Sequence, residues 1–551
     1  MSRYYSRFAT PAEARDRWDH LVTEPPSMLA FDTETVSLTD RTLLGIGVAQ
    51  SGVDAFYVTA DDPEFYKLIN LLKSTSIRKI WHNAPFDVRV LRSREIDYSN
   101  IDDTAIMARM QGLPAVLEEA SYWVNRQTER AVNTLARFNA TSMSGVPERE
   151  LAYKCIIDSE ATWLLREMYW PRIDHEYYEV ERQIVPMLEE ISQKGVRLDQ
   201  ARRDELDAYY SKEVAWYETV ASNMGFSPSK NMQVGWMLSD MQVFLPMTRK
   251  KTMLATDNET LNKIESPLRA VAFAQFVLGY RHVAKMLSTY IKPYVGLARA
   301  YTTLHMDAIT GRVSSTHAAK NDPDRNLQNI TKKAEKGGVP TIRSMFIPDE
   351  GDDVFTRADY SQLQLRILAH MSGDRRMLGV FMSGGDIHSD TAEGMRVTRD
   401  SAKTFNYAVI FGADAKTIAD KLNTKDIARV REYMKRWMET YPQAAQWLYM
   451  QQELGLSLGY VLTLFGRKMM IPMDQGEQHA RNCSVNYPIQ GTEAEIVKRG
   501  MLVCRDAFMP AIRLQVHDEL LNSGRVVIPS GMADLTPVHA PLDVEYVSTW
   551  G

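Results

Sequence analysis

Two short apolar runs of this chain stop at an acid, and they lie far apart. VFTRAD ends at Asp359, and IRLQV leads through His517 into Asp518. In IRLQV, Ile512, Leu514 and Val516 alternate onto one face, as in a strand, and the run reads as one arm of a hairpin turning near His517 and Asp518. A strand that ends in acid delivers a carboxylate to the edge of a sheet. The 159 residues between the two acids (518 − 359) must leave the sheet and return if the acids are to meet. A third run of this kind, MLAFD at 28–32, ends at Asp32, and Glu34 follows two residues on. Period two puts both side chains on one face. Adjacent carboxylates repel unless a cation lies between them, and oxygen donors suit Mg²⁺ or Mn²⁺.

A chain of 551 residues exceeds one ordinary core, so roughly three or four domain-sized units are expected. Lys and Arg number 65 against 70 Asp and Glu, a net charge of −5. Bulk charge is therefore not that of a basic nucleic-acid binder, and any such contact must use a local basic track. Cys155, Cys483 and Cys504 are far apart and form no C-x-x-C. That excludes a disulfide framework and a cysteine-type zinc site, and suits a reducing cytoplasm. There is no apolar run of about 18 residues and no signal-peptide core, so no membrane segment is expected.

Residues 28–60 read as three neighbouring strands, KIWHNAP at 79–85 as a fourth, and 86–96 as a helix, with helical pattern from about 102 to 185. Asp87 closes HNAPFD, and Asp158 lies in the helical DSEAT. Alone, a D-x-E pair is more often a cap or turn. Together, DTET, HNAPFD, IDDTA and DSEAT resemble the DEDD 3′–5′ proofreading exonucleases attached to family A DNA polymerases. The resemblance covers most of 28–165. It implies an RNase H-like α/β domain, with Asp32, Glu34, Asp87 and Asp158 as metal ligands and Leu38, Asn83 and Phe86 around the terminal nucleotide. The family carries a Tyr four residues before the last Asp; here that place is Lys154, with Tyr153 one earlier. One residue turns a helical side chain by 100°. Either the helix adjusts locally and Tyr153 serves, or Lys154 contributes, or the nuclease is weakened; Tyr153 is the expected water-orienting residue.

Between the two distant acids comes RDSAKTFNYAVIFG. Arg399, Lys403, Tyr407 and Phe411 recur every fourth residue, one slowly spiralling stripe on a helix, cationic at its start and aromatic at its end. Cations suit a triphosphate and aromatics a sugar and base. By itself the stripe is an ordinary amphipathic helix. With its flanks, DYSQLQLR, RDSAKTFNYAVIFG and VHDE resemble motifs A, B and C of family A DNA polymerases, the bacterial DNA polymerase I class. Ordered matches extend over about 370 residues, among them TGRVSS, NLQNI, DIHSDTA, GYVLTLFGRK and NYPIQGTEAEIVKR.

The resemblance implies a two-metal nucleotidyl transferase extending a primer on a DNA template, with two Mg²⁺ (or Mn²⁺) at each active site. Asp359 and Asp518 would bind them, assisted by the Tyr360 carbonyl. Arg399, Lys403 and His388 would hold the triphosphate, with Lys403 the proton donor to pyrophosphate. Tyr407 would stack on the nucleotide. Arg312, Asn486, Gln490, Gln515 and His517 would contact the primer–template or the new base pair. Two departures stand out: Gln364 replaces the family's Glu at the sixth position of motif A, and Phe411 its Tyr at the end of motif B. Gln beside Phe leaves no unpartnered buried carboxylate, so ribonucleotide exclusion by the bulk of Gln364 is expected to persist but loosen. Asn482 replaces a family Arg, leaving Arg481 one residue off.

The architecture expected is an α/β exonuclease domain at 1–175, then a right-hand polymerase at 176–551. Its thumb is expected at about 190–300, its palm at 301–375 and 456–551, and its fingers at 376–455. With the exonuclease pattern starting by residue 28, no 5′-nuclease domain is expected ahead of it. The layout is like that of bacteriophage replicative enzymes. A cytoplasmic monomer with primer–template DNA and dNTPs as partners is expected; replisome proteins are not readable. A single-subunit RNA polymerase shares motifs A to C, but the exonuclease pattern and bulky Gln364 argue against it. A nuclease with a weak polymerase, or a catalytically dead binding factor, is disfavoured by the six acids present.

Overall fold

The computed structural model describes residues 4–6 and 11–551 except 39, 92–93, 97, 249, 317–324, 333–339, 423, 509–510 and 536–537, with backbone alone at 4–6, 11, 506 and 508.

The N-terminal unit is built on a six-stranded sheet. Its strands are β1 (Tyr4–Ser6), β2 (Met28–Thr35), β3 (Leu43–Ala49), β4 (Ala55–Thr59), β5 (Arg78–Trp81) and β6 (Ile101–Asp103), in the order β1-β4-β3-β2-β5-β6. Strands β5 and β6 run parallel to β2, and the other pairings are antiparallel. Helix α1 (Ala84–Val90) follows β5 and is shorter than the expected 86–96. The segment at 101–103 was expected to be helical and is instead the edge strand β6. Asp103 ends it by accepting from Ala105 N and Ile106 N as the cap of the next helix. A three-residue strand is too short to show a period.

Helix α2 (Glu148–Tyr169) lies across β2 and β3. A Cβ on Gly47 of β3 would stand 2.4 Å from Ser159 Oγ and 2.8 Å from the Cys155 carbonyl. Glycine there lets the helix backbone touch the sheet, which presses Lys154, Cys155 and Asp158 against β2. Helix α3 (His175–Lys194), capped by Asp174, then carries the chain away from this unit.

Helices α4 (Gln200–Asn223) and α5 (Leu268–Lys285) pack together through Ala221, Phe226, Phe273, Ala274 and Val277. The C-terminal sheet is antiparallel. It comprises β7 (Phe355–Tyr360), β8 (Ile512–Val516), β9 (Glu519–Ser523) and β10 (Leu542–Val547), in the order β8-β9-β7-β10. Between β7 and β8 the chain makes a helical excursion. It includes α6 (Leu363–Ser372), α7 (Ile387–Met395), α8 (Arg399–Ile410), α9 (Ile427–Thr440), α10 (Pro442–Leu458) and the 32-residue α11 (Glu477–Phe508). Around the GYVLTLFGRK match the chain forms a hairpin that pairs Tyr460–Leu462 with Lys468–Met470.

Helix α11 packs on both α10 and α3. Where it meets α3, Lys498 Nζ lies 2.7 Å from both carboxylate oxygens of Glu181, and Tyr177 Oη and Arg467 complete a buried polar contact. Among the described residues no helix is long and apolar enough to cross a membrane.

Candidate functional site

The C-terminal sheet brings its two distant acids together. Strand β7 pairs with β9 in a register that sets Asp359 opposite Glu519, and the Tyr360 N–H donates to the Asp518 carbonyl at 3.1 Å. His517 at the hairpin tip has φ +56°, the left-handed turn conformation. Burial raises Asp518 to about 7, helped by the charges of Glu493 and Asp359. Burial also raises Asp359, against the opposing pull of Lys332. Lys332 Nζ lies 2.9 Å from Glu519 Oε2 and 3.6 Å from Asp359 Oδ2. Asp359 keeps about a third of its side chain exposed (36%). Two neighbouring carboxylates, each raised by burial and by a nearby acid, are a donor set that fits a hard divalent cation.

Helix α8 faces this pair. Tyr407 is raised to about 12 by burial, then by the charges of Asp518, Glu493 and Asp359, which places its hydroxyl within their field. The His388 ring sits 5.8 Å from the Tyr407 ring. It is buried, and Asn406 Nδ2 lies 3.1 Å from its Nδ1. Burial pushes His388 down to about 4, so the ring is neutral. Arg399 grips Asp386 through Nε (2.7 Å) and Nη2 (3.3 Å), while Lys403 is exposed. Phe411 caps the helix end and packs into the core.

A second acid cluster lies in the N-terminal unit. Asp32 and Glu34 share one face of β2, Asp87 comes from α1 and Asp158 from α2. Lys154, one turn before Asp158, puts Nζ 2.7 Å from Asp158 Oδ2 and 2.7 Å from Glu34 Oε1. The Cys155 thiol faces Asp32 Oδ2 at 3.2 Å, and Asp87 Oδ1 accepts from Thr33 N (3.1 Å) and Oγ1 (2.6 Å). Burial raises Asp32 well above the carboxylate range, Asp87 to about 7 and Asp158 to about 6. Burial alone would depress the Lys154 ammonium, but Asp158, Glu34 and Asp32 outweigh it and hold it above its usual value. Tyr153, expected at the acids, is 48% exposed on the rim of the adjoining cleft. Lys154 reaches the carboxylates in its place, because the i, i+4 relation to Asp158 belongs to residue 154.

Residues 199–525 match the family model described as DNA polymerase family A, more than half the chain, and residues 10–119 match a 3′-5′ exonuclease model. The chain belongs to DNA polymerase family A. It is similar to the thermostable DNA polymerase I of Thermus filiformis, with 27% identity over 89% of this chain and 61% of the relative. With the DNA polymerase I of Chloroflexus aurantiacus the identity is 30%, over 89% of this chain and 56% of that one. With that of Thermus aquaticus it is 31%, over 68% and 49%. The chain thus spans about half to three fifths of the length of these curated relatives. In fold it is similar to the POL domain of Pol1 from M. smegmatis, solved in complex with DNA primer-template and dNTP. The TM-score is 0.77 at 22% identity, covering 99% of each chain.

Within this family A chain, several residues expected at DNA are engaged inside the protein. Arg312 donates from Nε to Glu493 Oε2 at 2.9 Å, and Nη2 contacts the same oxygen. Gln515 is buried and its amide donates to the His517 carbonyl at 2.6 Å, which braces the hairpin tip. Asn486 Oδ1 is buried without a hydrogen-bond partner, and Gln490 is half-buried. Arg481 pairs with Glu453 and Glu477. In the N-terminal unit Leu38 is 70% exposed, Asn83 is exposed with φ +67°, and Phe86 is half-buried.

Gln364 meets a buried carboxylate that is not left unpartnered. Its Nε2 donates to Glu493 at 3.1 and 3.2 Å, so a buried carboxylate is present, delivered from α11. Glu493, Lys332 and Asn406 were missed from sequence. Glu493 sits inside the quoted NYPIQGTEAEIVKR helix, and Asn406 inside motif B. Lys332 carries no local signal, since only the fold brings it to the acids.

Proposed function

We propose that this chain extends a primer 3′-OH with dNTPs on a DNA template and trims primer ends through its N-terminal unit. One observation carries the reading: Asp359 and Asp518 meet at one end of the C-terminal sheet, with Tyr407 of α8 within their field. In this reading residues 1–175 form the exonuclease domain. The palm is 301–375 and 456–551, the fingers 376–455 and the thumb 190–300. The three cysteines, all free and buried, suit work in the cytoplasm.

Asp359 and Asp518 would hold Mg²⁺ or Mn²⁺, with the Tyr360 carbonyl beside them. Such ions, when bound, favour the ionised 3′-oxygen and offset the charge of the leaving pyrophosphate. The rest is done by side chains. Arg399 and Lys403 bind the triphosphate oxygens, with Arg399 positioned by Asp386. Neutral His388, held by Asn406, offers one ring nitrogen to the same group. Lys403, exposed and charged, gives a proton to the departing pyrophosphate. Tyr407 supports the incoming sugar and base, and Gln364, pinned by Glu493, occupies the space a 2′-OH would need.

The test is a gel with a 5′-labelled primer on a longer template. With Mg²⁺ and dNTPs the intact chain extends the primer, and Asp359→Asn loses at least a thousandfold of that rate while still folding. Extension unchanged by that substitution would overturn the assignment. Shortening of the primer without dNTPs, lost in Asp32→Asn, reports the second activity.

A further inference from the structure

The N-terminal acid cluster does not fit two divalent ions, because a protein cation already lies within it. Resting on the exonuclease reading above, we propose that the Lys154 ammonium stands in for one of two divalent ions, so that this cluster takes a single metal ion.

Three observations carry this. The ammonium bridges two acids from different elements, Glu34 of β2 and Asp158 of α2, at 2.7 Å each, which is the bridging task of a shared cation. It is not a loosely placed side chain. Lys154 is 13% exposed, and the contact of α2 with Gly47 fixes the helix over β2. A buried ammonium is held by its carboxylates because leaving them without water is costly. Finally, the oxygens left over suffice for one ion. Among the described residues, Asp158 Oδ1 is buried with no hydrogen-bond partner, and the donor to Asp32 Oδ2 is the weak Cys155 thiol. Asp87 Oδ1 is taken by two donors from Thr33, so that this acid has its Oδ2 to offer. A second divalent ion would have to sit against the ammonium, or expel it from a position in which both its acids are buried.

The experiment counts bound Mn²⁺ by electron paramagnetic resonance on the full chain. Asp359→Asn and Asp518→Asn are included so that only the N-terminal cluster reports. The count is taken as the difference from the same chain carrying Asp32→Asn and Glu34→Gln. One Mn²⁺ is expected with Lys154 present and two with Lys154→Ala. Lys154→Met, which keeps the stem and removes the charge, guards against loss of folding and is also expected to bind two. Two ions in the Lys154 chain overturn the proposal, and so does one ion in all three chains, since the lysine then excludes nothing. No ion in any of them overturns the metal-dependent exonuclease reading as well.

Discussion

Glu493 illustrates how one side chain ties several functions to a single charge. It accepts from Arg312 and Gln364, and its field helps hold Asp518 at about 7. A carboxyl that keeps its proton to about pH 7 binds a divalent ion weakly below that pH. The Mg²⁺ requirement for primer extension should therefore ease as pH rises from about 6 to 8. Glu493→Gln removes one of the charges that raise Asp518, so at pH 6.5 its half-maximal Mg²⁺ concentration should fall several-fold relative to pH 8. A parallel shift at both pH values would rule out this electrostatic link. Gln364→Ala deletes the amide that pins Glu493 and opens space beside Tyr407. Losing a contact of about 1–2 kcal/mol predicts roughly five- to thirtyfold more ribonucleotide incorporation, read as the ratio of dNTP to rNTP insertion efficiencies.

Helices and strands supply the precision that these side chains need, and α2 on its sheet is the sharpest case. Gly47→Ala puts a methyl group 2.4 Å from Ser159 Oγ and 2.8 Å from a backbone carbonyl, so the helix must lift. Overpacking of this kind costs about 1–3 kcal/mol. The melting temperature should drop, and primer shortening should fall tenfold or more while primer extension stays near normal. Equal losses in both activities would mean that the substitution unfolds the chain rather than displacing one helix. The strands that carry Asp32 and Asp359, and the one that leads into Asp518, were legible because period-two alternation and an acid at a strand end are local signals. Their convergence was not, since the pairing of β7 with β9 is a contact across the whole excursion between them. Local pattern also misjudged β6, where three residues paired at a sheet edge override a helical neighbourhood. At residues 153 and 154 the chemistry of the tyrosine favoured one position and helix geometry the other, and geometry prevailed.

The whole molecule is held across its units by buried charge. Lys498 and Arg467 meet Glu181 on α3, and Glu495 lies beside them. Burial raises Glu495 to about 7, from an ordinary value of 4.5. Between those values the folded chain binds a proton that the unfolded chain has lost, so this group makes stability fall as pH rises from about 4.5 to 7. The amount is on the order of 3 kcal/mol. Glu495→Gln should flatten that part of the curve of denaturation midpoint against pH. Lys498→Met leaves Glu181 buried with less compensation and should cost about 3–5 kcal/mol in a urea titration. A last consequence concerns chelators. Each acid cluster has a resident ammonium, Lys154 in one and Lys332 in the other. Stripping metal with EDTA therefore leaves neither cluster as bare anions forcing their strands apart. The chelated protein should be idle but unharmed, melting within a few degrees of its metal-loaded form and resuming work as soon as magnesium is returned.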